Sequence, residues 1–217
     1  MHLVSVDEKT NIQALERITA EHPMEKGSPR RIEYEYIRHG TTCLMASTDV
    51  GTGKLLSHRL HPTRNEEDFL CFIKQTVASF PPEDQIIFMA DQLNTHQSES
   101  LVKWVAQQIG FEEPLGIKGR KGILKSMKTR KTFLQMEQHR IRFVYTPKHC
   151  SWLNPIENWF AKLQRHVISH GHFTSVEELE RKIEIYIDFY NLCLYKPLNW
   201  EFKGFHKGYK LKAINGE

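Results

Sequence analysis

The sequence predicts an α/β protein, a mixed sheet with helices on both faces. Two observations predict it. The first part of the chain holds alternating or apolar runs joined by a tight turn signal, which read as antiparallel strands. Farther on, short apolar runs alternate with segments of helical periodicity, as a parallel sheet covered on both sides requires. The resulting order is three strands, helix, strand, helix, insert, strand, helix, helix.

Each element has a local reason. LVSV, residues 3–6, fits a short buried strand that ends at Asp7. A polar stretch with Pro23, Gly27 and Pro29 reads as a long loop. IEYEYI alternates around Tyr34 and Tyr36; TTCLMAST and KLLSHRL follow, with the hairpin signal DVGTG between them. NEEDFLCFIKQTVASF opens on an Asn65 cap and places Phe69, Phe72, Ile73, Thr76, Val77 and Phe80 on one helical face. QIIFMA is a continuous apolar strand that hands over to Asp91. SESLVKWVAQQIG is a helix stopped by Gly110, and RIRFVYT restores a strand. The next helix opens at Asn154 and repeats Ile156, Phe160, Leu163 and Val167 at helical spacing. The last carries a capping box from Ser175 to Glu178 and a stripe of Leu179, Ile183, Tyr186, Ile187 and Tyr190.

At 217 residues the chain fits one domain with a full core. Its four cysteines form no CxxC pair and read as reduced, mostly buried thiols of a cytosolic protein, so structural zinc is not expected. No apolar run spans a bilayer and the start lacks the features of a signal peptide, so the expectation is a cytoplasmic protein without a membrane partner. The net charge of +4 is unevenly placed. KGRKGILKSMKTRK, residues 118–131, carries seven Lys or Arg, and no acid occurs between Glu113 and Glu137. Such a run reads either as a phosphate-binding surface, which can order on binding, or as a solvated, mobile loop.

Glu157 poses the functional question. In KHCSWLNPIENWF it stands three residues after Asn154, where it can reach back as half of a capping box with Pro155 at the first helical position. The other reading joins it to Asp7 and Asp91. If the strands ending at those residues are parallel neighbours, the two carboxylates share one sheet edge, roughly 5 Å apart, and a helix against that edge can aim Glu157 at them. Three such acids repel unless protonated or neutralised, and hard divalent cations neutralise them.

VDEKTNIQALER, DQLNTHQSESLV, YTPKHCSWLNPIENWF and FTSVEELERKIEIYIDFYN together resemble bacterial insertion-sequence transposases of the mariner-like superfamily over nearly the whole chain. The resemblance implies a ribonuclease H-like DDE catalytic domain over residues 1–217, with Asp7, Asp91 and Glu157 as catalytic, metal-binding residues. It further implies two Mg²⁺ ions per site, with Mn²⁺ as a substitute, and DNA strand cleavage and strand transfer. The implied partners are double-stranded DNA, as terminal inverted repeats and target, and a second copy in a homodimer. In two respects the chain departs from the family, the first being that the stretch from Asp91 to Glu157 is lengthened by a basic insert at about residues 112–139. A helix-turn-helix domain, usual ahead of the catalytic domain, is not found before Asp7, so the expectation is that it is absent or supplied by a partner polypeptide. Alternatives are a catalytically idle DNA-binding remnant and a ribonuclease H-type nuclease.

Asn94 and His96 read equally as supports of the site or as fixtures of the turn after the strand. Lys118, Arg120, Lys121, Lys125, Lys128, Arg130 and Lys131 are DNA-backbone candidates, together with Lys148. Trp152 is either a base-stacking side chain or core. His166, His170 and His172 mimic zinc spacing but lack a Cys or Glu partner, favouring a surface or DNA-facing role. Trp200 and Phe202 read as a cap on the core, and Lys203, Lys207, Lys210 and Lys212 as an extension of the basic surface.

Overall fold

The computed structural model describes residues 1–18, 26–27 and 35–198. Tyr34 and the C-terminal Trp200, Phe202, Lys203, Lys207, Lys210 and Lys212 lie outside them. Strand β1 (His2–Arg17) pairs antiparallel with β2 (Tyr36–Asp49), which pairs antiparallel with β3 (Leu55–His61). On its other side β1 runs parallel to β4 (Ile86–Ala90), and β4 parallel to β5 (Ile141–Tyr145), giving the order β3-β2-β1-β4-β5. The hairpin signal forms the β2–β3 turn, where the Gly53 amide donates to the Asp49 carbonyl at 2.7 Å with Gly53 at φ +76°.

One expectation fails in an informative way. Asp7 does not end the first strand, because β1 continues to Arg17. What ends near Asp7 is the parallel ladder, whose last pair is Ser5 with Met89. An apolar run marks only the portion of a strand covered on both faces. Beyond it β1 pairs with β2 alone, through a register shift between Lys9 and Ile12 where Asn11 adopts φ +55°.

Helices α1 (Glu66–Val77), α2 (Glu99–Gln108) and α3 (Met127–Leu134) contribute to one core with Val4 and Val6; α4 (Ile156–Leu163) and α5 (Val176–Phe189) close a second with Ile12 and Ala14. The predicted caps hold α1 and α5: Asn65 and Asp68 form a full capping box, and the Ser175 hydroxyl accepts from the Glu178 amide. The Glu178 carboxylate reaches past the cap to Thr174, accepting from its amide and hydroxyl at 2.8 Å.

The basic segment is not a mobile loop. An Ile117–Lys121 bridge turns the chain, Ser126 caps α3 in a box with Thr129, and Leu124, Phe133 and Leu134 are buried. Gly116 is required by close approach, since a Cβ there would stand 2.1 Å from the Lys121 carbonyl oxygen. Arg130, expected on DNA, is buried instead: its Nε donates to the Gln97 carbonyl at 2.7 Å and its Nη1 to the Leu124 carbonyl at 3.2 Å. It fastens the segment to the turn after β4. The thiols also depart from expectation, for all four are free but only Cys43 is buried, while Cys71 and Cys193 are exposed. Among the described residues no helix is long and apolar enough to cross a membrane.

Candidate active site

Extending the Ser5–Met89 register by two residues sets Asp7 beside Asp91, which follows β4 directly; neighbouring strands lie about 4.8 Å apart. Asp7 pairs with Ala46, a member of the core beneath α4 and α5, and is itself buried. Its Oδ1 accepts from the Glu8 amide at 2.8 Å and its Oδ2 from the Asn154 side-chain amide at 3.1 Å. Burial raises its pKa to about 7; the Glu8 hydrogen bond opposes that rise and the Asp91 charge adds to it.

This has a consequence for stability. Between the ordinary value of 3.8 and about 7 the folded chain holds a proton at Asp7 that the unfolded chain has released. Without divalent cations, Asp7 therefore lowers stability as pH rises through that window, by about 4 kcal/mol at most. Thermal unfolding of chelator-treated protein from pH 4 to 8 checks this: Asp7→Asn is expected to lose less stability than the wild type over that range.

The capping reading of Asn154 and Glu157 does not hold. The Asn154 side chain leaves its own helix and crosses to β1. There its amide nitrogen donates to the Val6 carbonyl at 2.8 Å as well as to Asp7, and its oxygen accepts from the Ser5 hydroxyl. Ser5 in turn accepts from the Ile156 amide at 2.9 Å and so caps α4 from the sheet. Residue 154 is thus a strap between strand and helix start, and no side chain of the α4 segment caps the helix. Glu157, in the first turn of α4, is half-buried; burial raises its pKa, the Lys9 charge opposes the rise and the Asp91 charge adds to it. Both of the other acids thereby sense Asp91.

Asp91 is held from the opposite side. Its Oδ1 accepts from the Leu93 amide at 2.9 Å and stands 2.8 Å from His96 Nδ1. His96 is fully buried, with Phe69 at 4.2 Å between ring centroids, and its Nε2 lies 3.0 Å from Oε1 of Glu8. Burial alone would lower the ring's pKa, but the hydrogen bonds to Asp91 and Glu8 outweigh it and raise it to about 10. Burial likewise pushes Asp91 up, and the His96 bond overcomes it to hold Asp91 below the usual carboxylate range. Glu8 was not foreseen as a site residue. The only sequence signal was strand alternation, which sends Glu8 to the face opposite Asp7.

Asn94 is exposed at the start of a short 3₁₀ turn, Asn94–Gln97, and makes no hydrogen bond to the three acids among the described residues. An open groove of about 710 Å³ runs from Asp91, Gln92 and Leu93 past Thr146 to Lys148 and Ser151. Trp152, next to it in sequence, is 53% exposed, which removes the core reading. Lys131 reaches this edge, donating to Gln92 Oε1 at 3.1 Å, while Gln92 donates to the Thr146 carbonyl at 2.8 Å. Lys118, Arg120, Lys121, Lys125 and Lys128 are exposed, with Lys118 near Glu66 and Glu99 at 3.8 and 3.9 Å. His166 bonds the Tyr186 hydroxyl at 3.0 Å and His172 accepts from the Arg17 amide at 3.2 Å. Among the described residues no three His, Cys, Asp or Glu side chains form a ready-made metal-holding group. The donor set at the sheet edge nonetheless suits a hard cation: carboxylate oxygens, one of them on an acid driven to hold a proton by burial and a like charge.

A family model described as DDE superfamily endonuclease matches residues 2–180. No curated protein matches in sequence. In solved structures the same fold occurs in the Mos1 mariner paired-end complex with Mn, at 14% identity and a TM-score of 0.56, over 91% of this chain and 50% of that one. It occurs also in the Mos1 transposase paired-end complex with left transposon end, at 15% identity and 0.56, with the same coverage. A pre-cleavage Mos1 transpososome gives 14% and 0.54, over 86% of this chain and 48% of that one. The mixed sheet is therefore ribonuclease H-like, and the chain spans about half the length of these neighbours.

Proposed function

Since this chain belongs to the DDE superfamily of endonucleases, we propose that it is the catalytic part of a transposase, cutting DNA and joining freed 3′ ends to a target. Asp7, Asp91 and Glu157 are its site carboxylates. One observation supports the reading: the charge of Asp91, directly after β4, raises the pKa both of Asp7 in β1 and of Glu157 in the first turn of α4. Mg²⁺, or Mn²⁺ in its place and two per site, would activate the attacking water or 3′ hydroxyl and stabilise the leaving oxygen. These three carboxylates would hold it.

The chain's own groups do the rest. Asn154 keeps Asp7 and the start of α4 together. Lys148, which lines the groove with Asp91, offers the scissile strand a cation, and Trp152, one residue beyond the groove-lining Ser151, offers it an exposed ring. Residues 112–139 form a folded insert whose exposed cations hold the phosphate backbone. The paired-end complexes among the structural neighbours support a homodimer acting on two DNA ends.

Nicking of supercoiled DNA tests the proposal. Cleavage is expected with Mg²⁺ or Mn²⁺ and none with chelator. Binding without cleavage in Mn²⁺ would identify an idle remnant, and preferential cutting of RNA/DNA hybrid would identify a ribonuclease H-type enzyme. A second prediction separates the insert's cations by role. Replacing Lys118, Arg120, Lys121, Lys125 and Lys128 by Gln is expected to leave the fold intact and flatten the salt dependence of DNA binding, by about 0.9 in log–log slope per lost phosphate contact. Arg130→Gln is expected to lower thermal stability instead, because it strips partners from two buried carbonyls.

A further inference from the structure

Adjacent acids in β1 are sent to opposite faces of the sheet. Asp7 goes toward α4, whereas Glu8 meets His96 beneath α1, where its side chain is 2% exposed. A carboxylate sealed there costs several kcal/mol unless it is compensated. What it meets is a chain of contacts ending at the site: Glu8 Oε1 to His96 Nε2 at 3.0 Å, then His96 Nδ1 to Asp91 Oδ1 at 2.8 Å. Each ring nitrogen faces an oxygen that can only accept, so the ring donates from both. The turn carrying the ring is pinned as well, since the Tyr145 hydroxyl donates to the His96 carbonyl at 2.7 Å. The Leu93 amide donates to Oδ1 at 2.9 Å, and His96 Nδ1 stands 2.8 Å from that same oxygen and 3.3 Å from the Asp91 main-chain carbonyl, so both groups meet Asp91 on its Oδ1 side and neither meets Oδ2.

We infer that Glu8 is a positioning residue, acting through His96 to fix the Asp91 carboxylate so that Oδ2 is presented to the site. The inference rests on the reading of Asp91 as a metal-holding carboxylate. Glu8 touches neither substrate nor metal; it keeps the imidazole turned so that one N–H serves Asp91. Outer partners of this kind typically change metal affinity or activity 10- to 100-fold when removed. Glu8→Gln keeps an acceptor for Nε2–H, whereas Glu8→Ala leaves a cavity and no partner.

Two measurements on the full chain test this. In ¹⁵N-labelled, metal-free protein, His96 is expected to show two slowly exchanging ring N–H signals. Glu8→Gln should retain the Nδ1–H signal and Glu8→Ala lose its protection. A His96 ring unchanged in a folded Glu8→Ala chain would overturn the inference whether or not the protein cuts DNA. Mn²⁺ binding followed by electron paramagnetic resonance is expected to weaken about 10- to 100-fold in Glu8→Ala, with substantial recovery in Glu8→Gln. Equal Mn²⁺ affinity in wild type and Glu8→Ala would also overturn it. If the wild type binds no Mn²⁺, the metal reading of Asp91 fails, and with it this role for Glu8, even where the ring signals show the contact itself.

Discussion

Asp91→Asn is expected to abolish divalent-cation-dependent nicking, lowering its rate on the order of 10³-fold, while leaving DNA affinity unchanged or slightly higher. The direction follows from charge. Asp91 is the acid that perturbs both Asp7 and Glu157, and it is the one held in its ionised form by His96. An amide of the same shape still accepts from the Leu93 amide but brings no charge to a cation. Losing several kcal/mol of transition-state stabilisation amounts to a thousandfold or more in rate. Removing a negative charge beside a phosphate path cannot weaken electrostatic binding of DNA. Supercoil nicking in Mn²⁺, run beside a filter-binding or anisotropy titration, separates the two effects. Wild-type cleavage by Asp91→Asn would remove Asp91 from the chemistry.

Asn154→Ala is expected to be the most destabilising single change at the site, costing about 3 kcal/mol or more. The side chain is fully buried and joins the Ser5 hydroxyl, the Val6 carbonyl and the Asp7 carboxylate. Truncation leaves three buried polar groups short of a partner at about 1–3 kcal/mol each, not fully additive. For a chain of this length the melting temperature should fall by about 6–12 °C. Cleavage should fall further than the loss of folded protein explains, because the same strap sets the start of α4 and hence Glu157. Asn154→Asp sharpens the test. It keeps the shape but puts a second carboxylate against Asp7, so its defect should be smaller at pH 5, where Asp7 is protonated, than at pH 8. Equal defects at both values would show that the strap does not act through Asp7.

The three acids proposed for the site are legible because each sits at a boundary that periodicity exposes: the end of an apolar run, the end of a second, and the first turn after a proline. Their supports are not. Asn154 looked like a cap because cap residues and strap residues have the same chemistry, an amide or hydroxyl at a helix start. Only the arrival of Ser5 at the Ile156 amide freed it for another task. Arg130 looked like its six basic neighbours, and nothing local distinguishes the one cation that finds two carbonyls, in Gln97 and Leu124, from those left in solvent. Glu8 was hidden by its neighbour, since in a strand two adjacent acids read as one acidic end until the sheet has two distinct faces.

Repeats of two and of 3.6 residues, caps at Asn65 and Ser175, and the turn at Gly53 are set by neighbours within a few positions. That is why an α/β chain, its order of elements outside the basic insert and its acidic boundaries follow from the sequence alone, whereas α3 within the insert does not. The register of β1 against β4, the Asn154 strap and the Glu8–His96–Asp91 contact join residues up to 149 positions apart. Their partners exist only once sheet and helices have closed, because a buried polar group takes whichever complement the fold brings within 3 Å.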